Sequence, residues 1–156
     1  MEARLARMEL RPLQSHLGYW LRYVSNHVSH AFSLKLAARD VTVAEWVVLR
    51  ELREHAAVAP SRLADRLGMT RGAISKLVDR LLAKSLVTRT SSKDDRRYQT
   101  LALTPAGRAL VPKLSALADR NDEEFFGHLK RAERAMIENA MKAIVRRHAL
   151  RTVPVE

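Results

Sequence analysis

From Thr70 to Lys84 small, polar and basic side chains share one side of a helical pattern, and apolar ones share the other. Thr70 is placed to cap the segment through its hydroxyl. Arg71, Gly72, Ser75, Lys76 and Asp79 then lie opposite Ile74, Leu77 and Leu81. Gly72 and Ser75 leave room for a closely approaching surface, while Arg71 and Lys76 can reach purine acceptors or phosphate oxygens. Asp79 and Arg80 lie further along, where a sugar–phosphate backbone is the nearer partner. The alternative is an ordinary solvated helix face. A second basic group follows in Ser91-Ser92-Lys93-Asp94-Asp95-Arg96-Arg97. Arg96 and Arg97 are adjacent, so one can enter a narrow minor groove while the other holds a phosphate, with Lys93 adding charge nearby. Asp95 suits such a loop if it orients an arginine through a charge-assisted hydrogen bond. A solvated charge run is again the alternative.

The formal charge of the 156-residue chain is +11. A balance of this size steers anionic partners, nucleic acid first among them, although it also serves solubility or an anionic lipid surface. Its placement discriminates. Residues 60–103 hold ten basic and four acidic side chains, an excess of six within fewer than a third of the positions. Cysteine is absent, which excludes disulfides, thiol chemistry and cysteine-bound zinc. Neither a signal peptide nor the roughly 18 apolar residues of a membrane span is present, so a soluble cytoplasmic protein is expected.

The elements that must position these groups are legible in outline. A helix is expected from Leu13 to Ala38, with Leu13, Leu17, Trp20, Val24, Val28 and Ala31 on one stripe. Thr42 and Glu45 have capping-box spacing, with Val41 and Trp46 placed as a hydrophobic staple. The helix they open, Val43 to about His55, is expected to bury Trp46, Leu49 and Leu52. Pro60 begins a short helix with Leu63, Ala64 and Leu67 inward, and Gly68 ends it. Only Gly68-Met69-Thr70 separates it from the helix that starts at Arg71, the separation of a helix-turn-helix. Leu86–Thr90 and Tyr98–Leu103 read as a β-hairpin around the charged tip. Thr104-Pro105 then opens a helix carrying Leu110, Leu114, Leu117 and Phe125. A last helix, near Arg131 to Arg147, is expected to turn Met136, Ile137, Ala140, Met141 and Ile144 inward. The fold class is therefore mainly α (α+β). A winged helix-turn-helix head, residues 41–104, lies between an N-terminal dimerisation helix in 1–40 and C-terminal dimerisation helices in 105–156.

The run PSRLADRLGMTRGAISKLVDRLLAKSLVTRTSSKDDRRYQTLALTPAG, residues 60–107, resembles the MarR family of transcriptional regulators. The LADRLGM turn, the VDRLLAKSLV junction, the DDRR wing and the LTPAG stretch carry the likeness, and TVAEWVVLREL at 42–52 extends it. The resemblance implies a homodimer with interlocked terminal helices that presents two heads to a palindromic double-stranded DNA operator. It further implies a repressor released by a small phenolic or anionic ligand. In those terms Arg97 is the minor-groove arginine, Asp95 its orienting carboxylate, and Arg71, Ser75 and Lys76 part of the recognition helix. Ser85 departs from the glycine usual in the family, so it must take a left-handed conformation or end the helix differently.

A second stripe in the first helix comprises His16, Tyr19, Tyr23, Asn26 and His30. With Trp46 it can line an effector pocket; polar contacts in a dimer interface are the alternative. His27 and His30, with His16, raise metal binding, but no neighbouring carboxylate completes a site, and no metal or cofactor is expected. No phosphate-binding glycine loop, HExxH or paired nucleophile and base supports catalysis. Two other readings stay open. One is a winged-helix module that meets an acidic protein, and the other is an architectural or activating DNA binder without an effector.

Overall fold

A computed structural model describes residues 10–91, 93–94 and 98–151. Among these residues six α-helices and one hairpin follow in chain order: α1 (Leu17–Ala37), α2 (Val43–Glu54), α3 (Pro60–Leu67), α4 (Arg71–Ala83), β1 (Val87–Ser91), β2 (Gln99–Leu103), α5 (Pro105–Phe126) and α6 (Arg131–Arg147). The fold is mainly α with a winged helix-turn-helix at its centre. Among the described residues no helix is long and apolar enough to cross a membrane.

Three helices begin on a threonine whose hydroxyl accepts a first-turn amide hydrogen. Thr42 receives Glu45 at 3.1 Å, Thr70 receives Ala73 at 3.1 Å and Thr104 receives Gly107 at 3.1 Å. Each side chain satisfies an amide that the helix itself leaves without an acceptor. Glu45 returns the bond to the Thr42 amide at 3.0 Å, completing the capping box. Pro60 and Pro105 open α3 and α5, where a missing N–H costs nothing. Pro112, by contrast, lies inside α5 and deprives the Arg108 carbonyl of its helical donor.

The core lies under the head. Leu49, Leu63, Ile74, Leu81, Leu101 and Leu114 come from α2, α3, α4, β2 and α5, and all are essentially inaccessible. Burial of each such side chain contributes about 1.5–3 kcal/mol. Trp46 is half-buried at the edge of this core, with Leu49 and Leu52 beneath it. β1 and β2 pair antiparallel from Val87 opposite Leu103 to Ser91 opposite Gln99. Val58 adds a bridge to Leu101, with N–H···O distances of 2.8 and 3.0 Å, which ties the α2–α3 connection to the hairpin.

The N-terminal element differs from its sequence reading. Leu13–Ser15 form a separate 3₁₀ turn, and His16 is extended (φ −92°, ψ 125°) before α1 starts. The Ser15 hydroxyl donates to the Pro12 carbonyl at 2.7 Å, a local bond that competes with helix continuation. Of the expected apolar stripe, Val28 and Ala31 are half-buried, whereas Leu13, Leu17, Trp20 and Val24 are exposed. In the hairpin β1 is shifted one residue along, leaving Leu86 out and taking Ser91 in, β2 is shorter by Tyr98, and α2 ends at Glu54 because His55 is extended.

α6 requires the larger correction. Its apolar side chains Met136, Ile137, Ala140, Met141 and Ile144 do not turn into a core of their own chain, and Met136 is 71 % exposed. Arg134 bonds Asp122 of α5, and Phe126, Leu129, Ile137 and Met141 border a shallow hollow where the two helices meet. One short helix can cover only part of such a stripe.

Candidate nucleic-acid interface

The turn between α3 and α4 is made by Gly68 at φ 62°, ψ 29°, a left-handed conformation available to glycine without a Cβ penalty. Thr70 restarts the chain as the cap of α4. Ile74, Leu77, Val78 and Leu81 are buried, fixing that helix by its apolar face. Arg71, Gly72, Ser75, Lys76, Asp79 and Arg80 are all exposed on the opposite side. A Cβ built on Gly72 would meet nothing within 4 Å, so nothing inside the molecule requires glycine there. Its small size is left for whatever approaches from outside.

The joint beyond α4 sets the aim of the hairpin. Ser85 takes φ 57°, the left-handed alternative, so the departure from glycine is absorbed as backbone strain. The Thr104 hydroxyl donates to the Ser85 carbonyl at 2.7 Å, and the Thr104 amide donates to the Leu86 carbonyl at 3.1 Å. A Cβ on Gly107 would lie 2.1 Å from that same Leu86 oxygen, so only glycine lets α5 approach so closely. Lys93 is exposed on the hairpin loop. Asp95, Arg96 and Arg97 lie outside the described residues.

Between α4 and the hairpin runs a groove of about 520 Å³, bordered by Ser61, Arg71, Ser75, Arg89, Tyr98 and Gln99. Arg89 also lies 3.6 Å from Asp79, which stands outside the groove lining. Sequence periodicity did not single out Arg89 because an arginine on the outer face of a strand has no spacing signature. A second contact missed by spacing is Lys84–Glu45, at 2.9 Å, with Glu45 1 % exposed. The capping-box carboxylate thereby also fastens the C-terminal end of α4 to α2.

Within one chain the effector residues fall into groups: Tyr19 and Tyr23 have ring centres 6.0 Å apart, and Asn26 and His30 share a groove. His16 stands at the N-terminal boundary of α1 with its ring against the Leu13 carbonyl, Tyr19 stands edge-on to Trp20 with ring centres 5.1 Å apart, and Tyr23 stacks on His27 at 4.8 Å. Asn26 and His30 border a shallow groove of about 290 Å³ with Ser25, Ser29, Ser33 and Val43. Trp46 packs edge-on against Phe32 and faces a different hollow, beside Arg50 and Arg66. Among the described residues no three His, Asp or Glu side chains cluster as metal ligands.

Buried helix-turn-helix, capped recognition helix and adjoining hairpin define a winged helix-turn-helix regulator. The model of the MarR family matches residues 39–97, the span from the end of the first helical segment to the hairpin tip. It is 27 % identical over 130 residues to the multiple antibiotic resistance protein MarR of Escherichia coli K12, covering 83 % of this chain and 90 % of that protein. It is 37 % identical over 69 residues, 44 % of each chain, to the transcriptional repressor MdtR of Bacillus subtilis. Among solved structures, a MarR variant of E. coli complexed with operator DNA superposes with a TM-score of 0.74 at 27 % identity, covering 83 % of this chain and 93 % of that one. Bordetella bronchiseptica BpsR, whose DNA binding is regulated by 6-hydroxynicotinic acid, gives 0.75 at 26 % identity, with 86 % and 96 % covered. MdtR is named a transcriptional repressor and MarR is seen with operator DNA, so the chain is similar to DNA-binding regulators rather than to enzymes.

Proposed function

We propose that the protein is a homodimeric, sequence-specific DNA-binding repressor whose two heads read a palindromic operator and release it when a small phenolic or anionic ligand binds. The observation that carries this reading is α4: its apolar side is locked into the core, while Arg71, Gly72, Ser75 and Lys76 stand free beside a basic hairpin. That pairing suits a helix in the major groove and a loop in the adjacent minor groove. The operator complex of MarR supports the DNA partner. The repressor name of MdtR and the ligand control of BpsR support the sense of regulation and the effector. Dimerisation is supported by the bare apolar stripes of α1 and α6, where Trp20, Val24, Met136, Ile137 and Met141 are all exposed in the single chain. In this reading residues 1–40 and 105–156 form the dimer, 41–104 form the head, and Thr70, Arg80, Lys93, Asp95, Arg96 and Arg97 join the contacts of α4.

Fluorescence anisotropy with duplex DNA from immediately upstream of the gene tests it. Affinity should fall by orders of magnitude between low and moderate salt, as phosphate neutralisation requires. Arg97→Ala should cost about 1–3 kcal/mol per head if that arginine occupies the minor groove. Binding that ignores both salt and Arg97→Ala would point instead to a protein-interaction module.

A further inference from the structure

We propose that the groove between α4 and the hairpin is a phosphate clamp, in which Arg71 and Arg89 grip one backbone phosphate of the duplex and Asp79 competes for Arg89. This inference rests on the DNA-binding reading above and adds the residues that read the backbone beside the recognition helix. Arg71 stands in the first turn of α4 and Arg89 in the middle of β1, so two guanidinium groups from different elements border one groove of about 520 Å³. The remaining described polar borders, Ser61, Ser75, Tyr98 and Gln99, are neutral hydrogen-bond donors, and no carboxylate belongs to the described lining. Val78 supplies a buried apolar floor. Such a floor keeps water off one side of a bound anion and strengthens its interaction with the arginines. Guanidinium matches phosphate oxygens in a bidentate fork.

Asp79 stands just outside that lining, one turn beyond Ser75 on α4. Its carboxylate is 3.6 Å from Arg89, beyond hydrogen-bond length, and is 66 % exposed. An exposed pair at that separation is weak and is readily replaced by a better acceptor. Asp79 therefore holds Arg89 in place without satisfying it, and repels phosphates that approach the outer rim in the wrong register. A phosphodiester of duplex DNA fits better than a free phosphate ion, because the groove lies open alongside the helix that faces the bases.

Salt titrations with the full chain decide the matter, using the upstream duplex and a scrambled duplex of equal length, with thermal melting of each variant as the folding control. Arg89→Gln should weaken both duplexes by a similar factor, and the slope of log affinity against log salt should become shallower by about one for each head. Arg89→Lys, which keeps the charge, should restore most of that slope. Asp79→Asn removes a surface contact only, and should tighten the scrambled duplex several-fold so that the ratio of operator to scrambled affinity falls. An unchanged slope for Arg89→Gln would overturn the clamp while leaving DNA binding intact. Unchanged scrambled affinity for Asp79→Asn would remove the competition. Wild-type protein that ignores both duplexes in dilute buffer would bring down the DNA reading, and the clamp with it.

Discussion

Single residues divide this head into positions that serve the fold and positions that serve something outside it. Gly107 belongs to the first group. With the Leu86 oxygen 2.1 Å from the site of any Cβ, Gly107→Ala must push α5 away from the hairpin. The expected loss is about 1–3 kcal/mol, the usual penalty of an overpacked contact, measurable by urea denaturation. Gly72 belongs to the second. Alanine there meets open space and is a better helix former, so Gly72→Ala should raise stability by about 0.5 kcal/mol. The same methyl group should weaken operator binding, because it occupies the room that α4 keeps for an approaching duplex. A gain in melting temperature together with a loss in anisotropy is the result to look for; equal operator affinity would mean that this end of α4 does not approach the bases. Ser85 gives the converse. At φ 57° it strains a backbone that glycine would adopt freely, and Ser85→Gly should stabilise the protein by about 1 kcal/mol.

Elements are held in register by bonds between their ends. Glu45 binds the Thr42 amide and Lys84 at once, so the start of α2 is fastened to the last turn of α4. Glu45→Gln preserves much of the cap but leaves Lys84 without its buried anion. Because Lys84 remains partly open to water, the expected loss is about 1–3 kcal/mol by chemical denaturation, smaller than for a fully enclosed pair. The cap itself was legible in the sequence, since Thr42 and Glu45 have local spacing with one chemical meaning. So were Gly68, Thr70 and Thr104-Pro105, for the same reason. The Lys84 contact was not, because its partner lies 39 positions away and only tertiary packing brings them together. The break at His16 was missed because helical periodicity in Leu13, Leu17 and Trp20 outweighed the competing Ser15–Pro12 bond. The effector stripe is set by distant packing too: five residues align along the first helix, while Trp46, on α2, packs against Phe32 over a different hollow.

At the scale of the whole molecule, one core is shared and one helix is left outside it. The core runs from Leu36 near the end of α1 to Leu114 in α5, whereas α6 carries Met136, Ile137, Met141, Ile144 and Val145 on its surface. If these residues form the dimer, Ile137→Glu combined with Met141→Glu should yield a monomer in sedimentation velocity while the head still melts cooperatively. Operator affinity should then drop on the order of a hundredfold or more, since the second head no longer binds as a tethered partner. A variant that stays dimeric would move the interface elsewhere.

One buried amide gives α5 a further significance. Asn121, 4 % exposed, donates to the Val28 carbonyl at 3.2 Å and accepts from Lys35 at 3.0 Å, while Lys35 also meets Glu124 at 2.6 Å. This knot anchors α5 to α1 near one end, and the Thr104–Ser85 bond anchors it to the hairpin at the other. The 22 residues between Pro105 and Phe126 make a rod of about 33 Å. One continuous helix thus joins the Asn121 knot on α1 to the hairpin, and its hydrogen-bond ladder is interrupted once, at Pro112, which has no N–H to offer the Arg108 carbonyl.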